Sequence, residues 1–192
     1  RKWISMNMKR QTMVMLACFG WLAFTTLLHA EIKSGLQIGD YADAFDVKDC
    51  SSAQTRGKTL CYRWVYGGRP VVAVFTRSLD DNVVSLAKEL QAKLFENSNK
   101  QLRAFVVVLS DKQQKQEGKL SEIAQMNRLR TLPLTVFKDA KGPPDYKIAA
   151  DAEVTVMLWT GLQVKANHAF AVGELNAAAI KKVIVSLGTI LK

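Results

Sequence analysis

The sequence predicts an α/β domain, a mixed central sheet with helices packed on it, and three observations carry that prediction. Two almost unbroken apolar runs, "PVVAVFT" at 70–76 and "AFVVVLS" at 104–110, have the composition of strands buried on both faces. Between them Val83, Leu86, Ala87, Leu90 and Leu94 recur at helical spacing, with Lys88, Glu89, Gln91 and Lys93 on the other side. Strand, amphipathic helix and buried strand form a βαβ unit, which crosses over right-handed. The third observation is a closing stretch with the pattern of two alternating strands followed by an apolar-striped helix.

The elements follow in order. "AFDVKD" at 44–49 predicts a short strand entering the domain. "TLCYRWV" at 59–65 is rich in β-formers and stops at Gly67-Gly68, which predicts a hairpin with 70–76. A tight turn there sets Val65 against Pro70 and Cys61 opposite Val74, near the carboxyl end of the central strand. Ser78, Asp80 and Asp81 supply caps for the first long helix. A second helix is predicted over 119–128, burying Leu120, Ile123 and Ala124. Leu132-Pro133 then leads into a short strand at 134–137, and "AKGPPDYKIAADA" reads as a loop or a single helical turn. A hairpin follows, 154–159 with 163–170, turning at Thr160-Gly161. Ile180, Val183, Ile184, Leu187, Ile190 and Leu191 stripe the last helix, with Asn176 as its cap.

A chain of 192 residues, 48% of them hydrophobic, builds one ordinary core. Residues 1–30 stand apart from it. They carry Arg1, Lys2, Lys9 and Arg10 without an acid, and "MVMLACFGWLAFTTLL" at 13–28 has no charge. A basic start, an apolar stretch and a small residue, Ala30, make a secretory signal, with Met8 as the natural start. The same sixteen residues approach the length of a short membrane anchor. The division expected is therefore 1–30 as signal peptide or anchor and 31–192 as the folded domain, exported to a periplasmic or extracellular space. Without residues 1–30 the chain keeps 23 basic and 17 acidic side chains, a formal charge of +6. The bases are scattered and not interleaved with aromatics, so nucleic acid is not an expected partner. A membrane is expected as a partner only through an uncleaved N-terminal segment.

The order of elements resembles the thioredoxin-like superfamily, and within it the redoxin and peroxiredoxin branch, which adds an N-terminal β-hairpin. "GLQIGDYADAF" at 35–45, similar to the glycine-aspartate opening of redoxins, and Leu132-Pro133 carry the resemblance over roughly 35–192. It implies a three-layer sandwich, with Pro133 cis and lining a substrate cleft together with Leu132, Arg63 and Asp80. It also implies a reactive Cys-x-x-Cys where the helix dipole lowers a thiol pKa, at the start of the helix after the central strand. Alignment on Phe75 puts Asp80 and Val83 at those two positions, and the peroxiredoxin Thr-x-x-Cys is missing as well. Asp80 and Asp81 then read as caps.

Cys50 and Cys61 are the cysteines of the expected mature chain, in a compartment where disulfides persist. Three readings of Cys61 stay open: a disulfide with Cys50 closing a polar loop, a small buried thiol, or a reactive thiol with Cys50 as resolver and Arg63 stabilising the thiolate. No cofactor is implied. A Cys-x-x-Cys-His motif and a nucleophile elbow are missing, and Cys50, Cys61 and His168 lack metal-ligand spacing. His168 reads as a hydrogen-bonded structural residue, and Met157 and Trp159 as strand packing. Two functions follow: an exported scaffold or binding module for a protein or peptide partner, without dithiol chemistry at the usual site, or a thiol-dependent oxidoreductase or one-cysteine peroxidase using Cys61.

Overall fold

In the computed structural model, residues 32–191 are described, and the expected signal segment lies outside them. The elements run β1 (Val47–Asp49), β2 (Thr59–Leu60), α1 (Tyr62–Tyr66), β3 (Val71–Thr76), α2 (Asp81–Glu96), β4 (Arg103–Leu109), α3 (Gln113–Met126), β5 (Leu134–Phe137), β6 (Val154–Thr160), β7 (Gln163–Phe170) and α4 (Ala177–Ser186). One seven-stranded mixed sheet has the order β2-β1-β5-β4-β3-β6-β7. β3, β4 and β5 are parallel, and β1 and β6 run antiparallel to their neighbours on either side.

The βαβ unit forms as the apolar pattern predicts, and every residue of β3 is buried. Asp80 caps α2 by accepting the Val83 amide at 2.9 Å, and the predicted stripe Val83, Leu86, Ala87, Leu90 and Leu94 is its buried face. Two successive crossovers, β3-α2-β4 and β4-α3-β5, step in the same direction, and constant handedness puts both helices on one side of the sheet. α4 joins them there, so Val72, Val74, Leu86, Leu90, Leu120, Val183 and their neighbours form one core. The other side of the sheet carries a second, aromatic core of Tyr62, Tyr66, Phe75, Phe105, Tyr146 and Trp159. Its cover is α1 and the loops. Among the described residues no helix is long and apolar enough to cross a membrane.

The segment after Leu60 departs from the expected hairpin. Only Thr59–Leu60 pairs, and it does so with β1; 62–66 is a helix. Its β-forming composition is overridden by packing. Tyr62 and Tyr66, one helical turn apart, are both buried against Phe105, with ring centroids at 5.1 and 6.1 Å, while Trp64 and Val65 face solvent. Gly67 ends the helix at a positive φ of 58°, so Gly67-Gly68 is a helix stop and not a hairpin turn. Cys61 consequently does not pair with Val74, since β3 is flanked by β4 and β6. α3 starts six residues earlier than the 119–128 expectation, because its first turns are polar and leave no apolar signal. The C-terminal hairpin turns at Gly161-Leu162, both at positive φ.

Candidate functional site

β3, β4 and β5 end together at Thr76, Leu109 and Phe137, and β6 begins beside them at Val154. At this carboxyl edge α/β sheets hold their ligands. β3 delivers the chain to Arg77, Ser78, Leu79 and the α2 cap Asp80. The two positions at which the resembled family carries its dithiol are accordingly a capping carboxylate and Val83, a core side chain 1% exposed. Asp81 adds a second acid in the first turn, matching the helix dipole.

Arg77 organises the rest of this edge. Its guanidinium donates to the carbonyls of Ala140, Ala149 (3.0 Å) and Ala152 (3.0 Å), and its amide to Glu153 O at 3.1 Å. Ser78 Oγ donates to Glu153 Oε1 at 2.6 Å. The connection from β5 to β6 is thereby tied across the end of the sheet by one cation bound to backbone dipoles. Sequence reasoning missed Arg77; its one signal is a cation immediately following a fully buried strand.

The predicted site residues are not brought together. Leu132 and Pro133 precede β5 at the amino edge of the sheet, where Pro133 O accepts the Val106 amide at 2.9 Å. Both are buried, and no peptide bond among the described residues is cis, so the cis Pro133 cleft implied by the resemblance is not formed. Asp80 stands at the opposite, carboxyl edge. Arg63, on α1, lies on the aromatic side; its guanidinium stacks 4.4 Å from the Trp64 ring centroid and its Nε donates to Ala42 O at 3.3 Å.

The two thiols are also separate. The β1–β2 ladder sets Cys50 opposite Gly57, and Cys61 is four residues further along. Both cysteines are free in this structure; of the three readings of Cys61, the disulfide with Cys50 is not the one it contains. Cys50 is 3% exposed in the helical core, its Sγ donating to Lys48 O at 3.4 Å. Burial, and then the charges of Glu117 and Asp49, push its thiol up to about 12, so it is protonated at neutral pH and a poor resolver. Cys61 is half-buried at the carboxyl edge, immediately before α1. Burial, and after it the nearby Cys61, raise the pKa of Tyr146, whose hydroxyl donates to Asp43 O at 2.8 Å. His168 stands on β7, hydrogen-bonded to Ser186 Oγ at 3.0 Å and stacked on Phe170. Met157 and Trp159 are fully buried.

The strongest polar constellation is Asp49, which sequence reasoning did not single out. It is 0% exposed at the end of β1. Its carboxylate accepts from the amides of Ser51 (2.9 Å) and Ser52 (3.0 Å), from Thr55 Oγ1, and from the buried Tyr62 hydroxyl at 2.8 Å. Burial by itself raises its pKa, but the bonds from Ser52, Thr55 and Ser51 outweigh that and hold it below the ordinary carboxylate value. This knot shapes the 50–58 loop and fixes α1, and with it Cys61. An aspartate at a strand end with serines two and three residues on, Ser51 and Ser52, is its one sequence trace.

No family model matches the chain, and no curated protein does. Solved structures match it throughout the domain. An uncharacterized conserved protein from Geobacillus kaustophilus aligns at a TM-score of 0.61 and 12% identity, over 84% of this chain and 86% of its own. The peroxidoxin BcpB from Mycobacterium tuberculosis aligns at 0.59 and 17%, over 82% and 99%. A putative protein disulfide isomerase from Bacteroides thetaiotaomicron gives 0.57 and 16%, over 82% and 95%. With the strand order and the βαβ core, these likenesses establish the fold alone: residues 32–191 have a thioredoxin-like fold, as the structures of redoxin proteins do.

Proposed function

We propose that the chain is an exported thioredoxin-like binding module that runs no dithiol chemistry at the usual site. The observation that carries this reading is the start of α2, where Asp80 is committed to capping and Val83 to the core. The composition of residues 1–30 supports export, and the partner proposed is a protein or peptide. The test is turnover of hydrogen peroxide and of insulin disulfides by the purified protein and by C61S. Both are expected at the solvent background; activity that C61S abolishes overturns the reading. Export is checked by cell fractionation with N-terminal sequencing, where a mature chain starting at Glu31 is expected and a cytosolic chain retaining 13–28 refutes it.

One observation favours the second reading, a one-cysteine enzyme: Cys61 is the half-buried thiol of the pair and lies at the carboxyl edge. The comparison of wild type with C61S decides between the two.

A further inference from the structure

The amino edge of the sheet, remote from Asp80, holds a cleft of about 700 Å3 between the last turns of α2, the start of β4 and the loop after α3. Its walls are apolar where they meet Leu102 and Phe95. Leu102 is buried, whereas Phe95 lies off the buried stripe of α2 and is 85% exposed. Around this apolar ground stand four cations, Lys88, Arg103, Arg128 and Arg130. None of them has a carboxylate partner among the described residues. Glu96, the one acid lining the cleft, is paired with Lys93 at 2.6 Å.

The basic loop is held in place. Gln91, on α2, donates from Nε2 to Arg128 O at 2.9 Å and accepts the amides of Arg130 (2.6 Å) and Thr131 (3.1 Å) on Oε1. Arg128, the residue after the Asn127 C-cap of α3, lies in the left-handed region, φ 54°, where glycine is the usual residue and a side chain costs about 1 kcal/mol. Two arginines are thus presented on a fixed backbone, which lowers the ordering cost of binding an anion.

We infer that this cleft docks an acidic peptide segment of a partner protein, with an apolar side chain against Phe95 and Leu102 and carboxylates on Arg103, Arg128 and Arg130. Charge complementarity selects the occupant: unpaired cations around an apolar floor match carboxylates flanking an apolar anchor. A concave cleft of this volume takes a chain segment and not the plane of a bilayer. The chain's own residues 1–30 carry bases and no acid, so they do not complement it. The inference rests on the binding-module reading above and gives that partner its chemistry.

The probe is a fluorescein-labelled twelve-residue peptide alternating glutamate with leucine and phenylalanine, titrated into the purified chain by anisotropy, with amide chemical shifts followed in parallel. Saturable binding is expected, with shifts centred on 88–103 and 128–131. The double variant R128E/R130E is expected to weaken it about tenfold or more, and F95S several-fold, since a rim charge or one anchor contact each accounts for that much. All three side chains are exposed, and circular dichroism checks that the variants fold. The inference is overturned if R128E/R130E binds unchanged, if a peptide with serine for leucine and phenylalanine binds equally well, or if phosphatidylglycerol vesicles bind through these arginines and the peptide does not. Failure of the peptide with thiol turnover still at background removes this site alone. Turnover that C61S abolishes removes the module reading, whatever the peptide does.

Discussion

Replacing Asp49 by alanine tests whether the buried carboxylate holds the entry to α1. Four donors lose their acceptor, namely the Ser51 and Ser52 amides, Thr55 Oγ1 and the Tyr62 hydroxyl. The first three lie in a loop that reaches water and re-solvate at about 0.5 kcal/mol each, whereas the buried Tyr62 hydroxyl loses a charge-assisted bond of about 1.5–3 kcal/mol. The expected loss is about 3–5 kcal/mol, a large part of the 5–15 kcal/mol of an ordinary domain. At about 2–4 °C per kcal/mol for a domain this size, the midpoint falls by roughly 6–20 °C. Urea unfolding at pH 7 reads the loss, and a D49A/Y62F double variant should be destabilised by about 1 kcal/mol less than the two singles added together, because the orphaned hydroxyl is gone. The pH dependence has a fixed sign. The folded pKa of Asp49 lies below its ordinary value of 3.8, so its contribution is present above that value and is lost as pH falls through the folded pKa. D49N lacks this share of the acid slope. A D49A protein within about 0.5 kcal/mol of wild type, with an unchanged acid slope in D49N, refutes the account.

Three further outcomes are expected. Under denaturing conditions Cys50 and Cys61 both alkylate without reduction; in the native protein at pH 8 only Cys61 does so readily, because a thiol at about 12 is thiolate in about one molecule in ten thousand. Labelling of the pair only after reduction contradicts this. Asp80→Ala costs about 1 kcal/mol in urea unfolding, as the loss of an N-cap does, and a change in peroxide turnover instead would assign it chemistry. Arg77→Ala frees three carbonyls, so hydrogen exchange at 139–153 should accelerate at least about tenfold for a local loss of about 1.5 kcal/mol or more. Exchange confined to the wild-type rate refutes its tying role.

The fold was legible because its signals are periodic. β3 and α2 follow from the unbroken Val/Phe run and from the spacing of Val83 to Leu94, which local composition and long-range packing both favour. The 59–66 segment was not legible, because its helical spacing has only two apolar members, Tyr62 and Tyr66, which are themselves β-formers like Thr59, Trp64 and Val65, and their partner Phe105 lies some forty residues away. The site was less legible still. Asp49 and Arg77 act through backbone groups and hydroxyls distant in sequence, and no spacing rule reports such partners. Pro133 misled for a topological reason: the strand that starts beside the end of β3 is β6, so the residue standing there is Glu153, while Pro133 precedes the parallel strand β5.

The unequal dressing of the sheet has a consequence for how such a chain breathes and changes. Three long helices load one side, while the aromatic side is roofed by five residues of α1 and by loops held through hydrogen bonds, among them Tyr62 on Asp49, Tyr146 on Asp43 and Arg77 on the carbonyls of Ala140, Ala149 and Ala152. Opening the side under α1 exposes the Phe75 and Phe105 rings and leaves the core on the helical side of the sheet in place. Inheritance acts on the same asymmetry. Substitutions under α1 fall on the aromatic core, which is separate from the core that the three long helices share on the other side of the sheet.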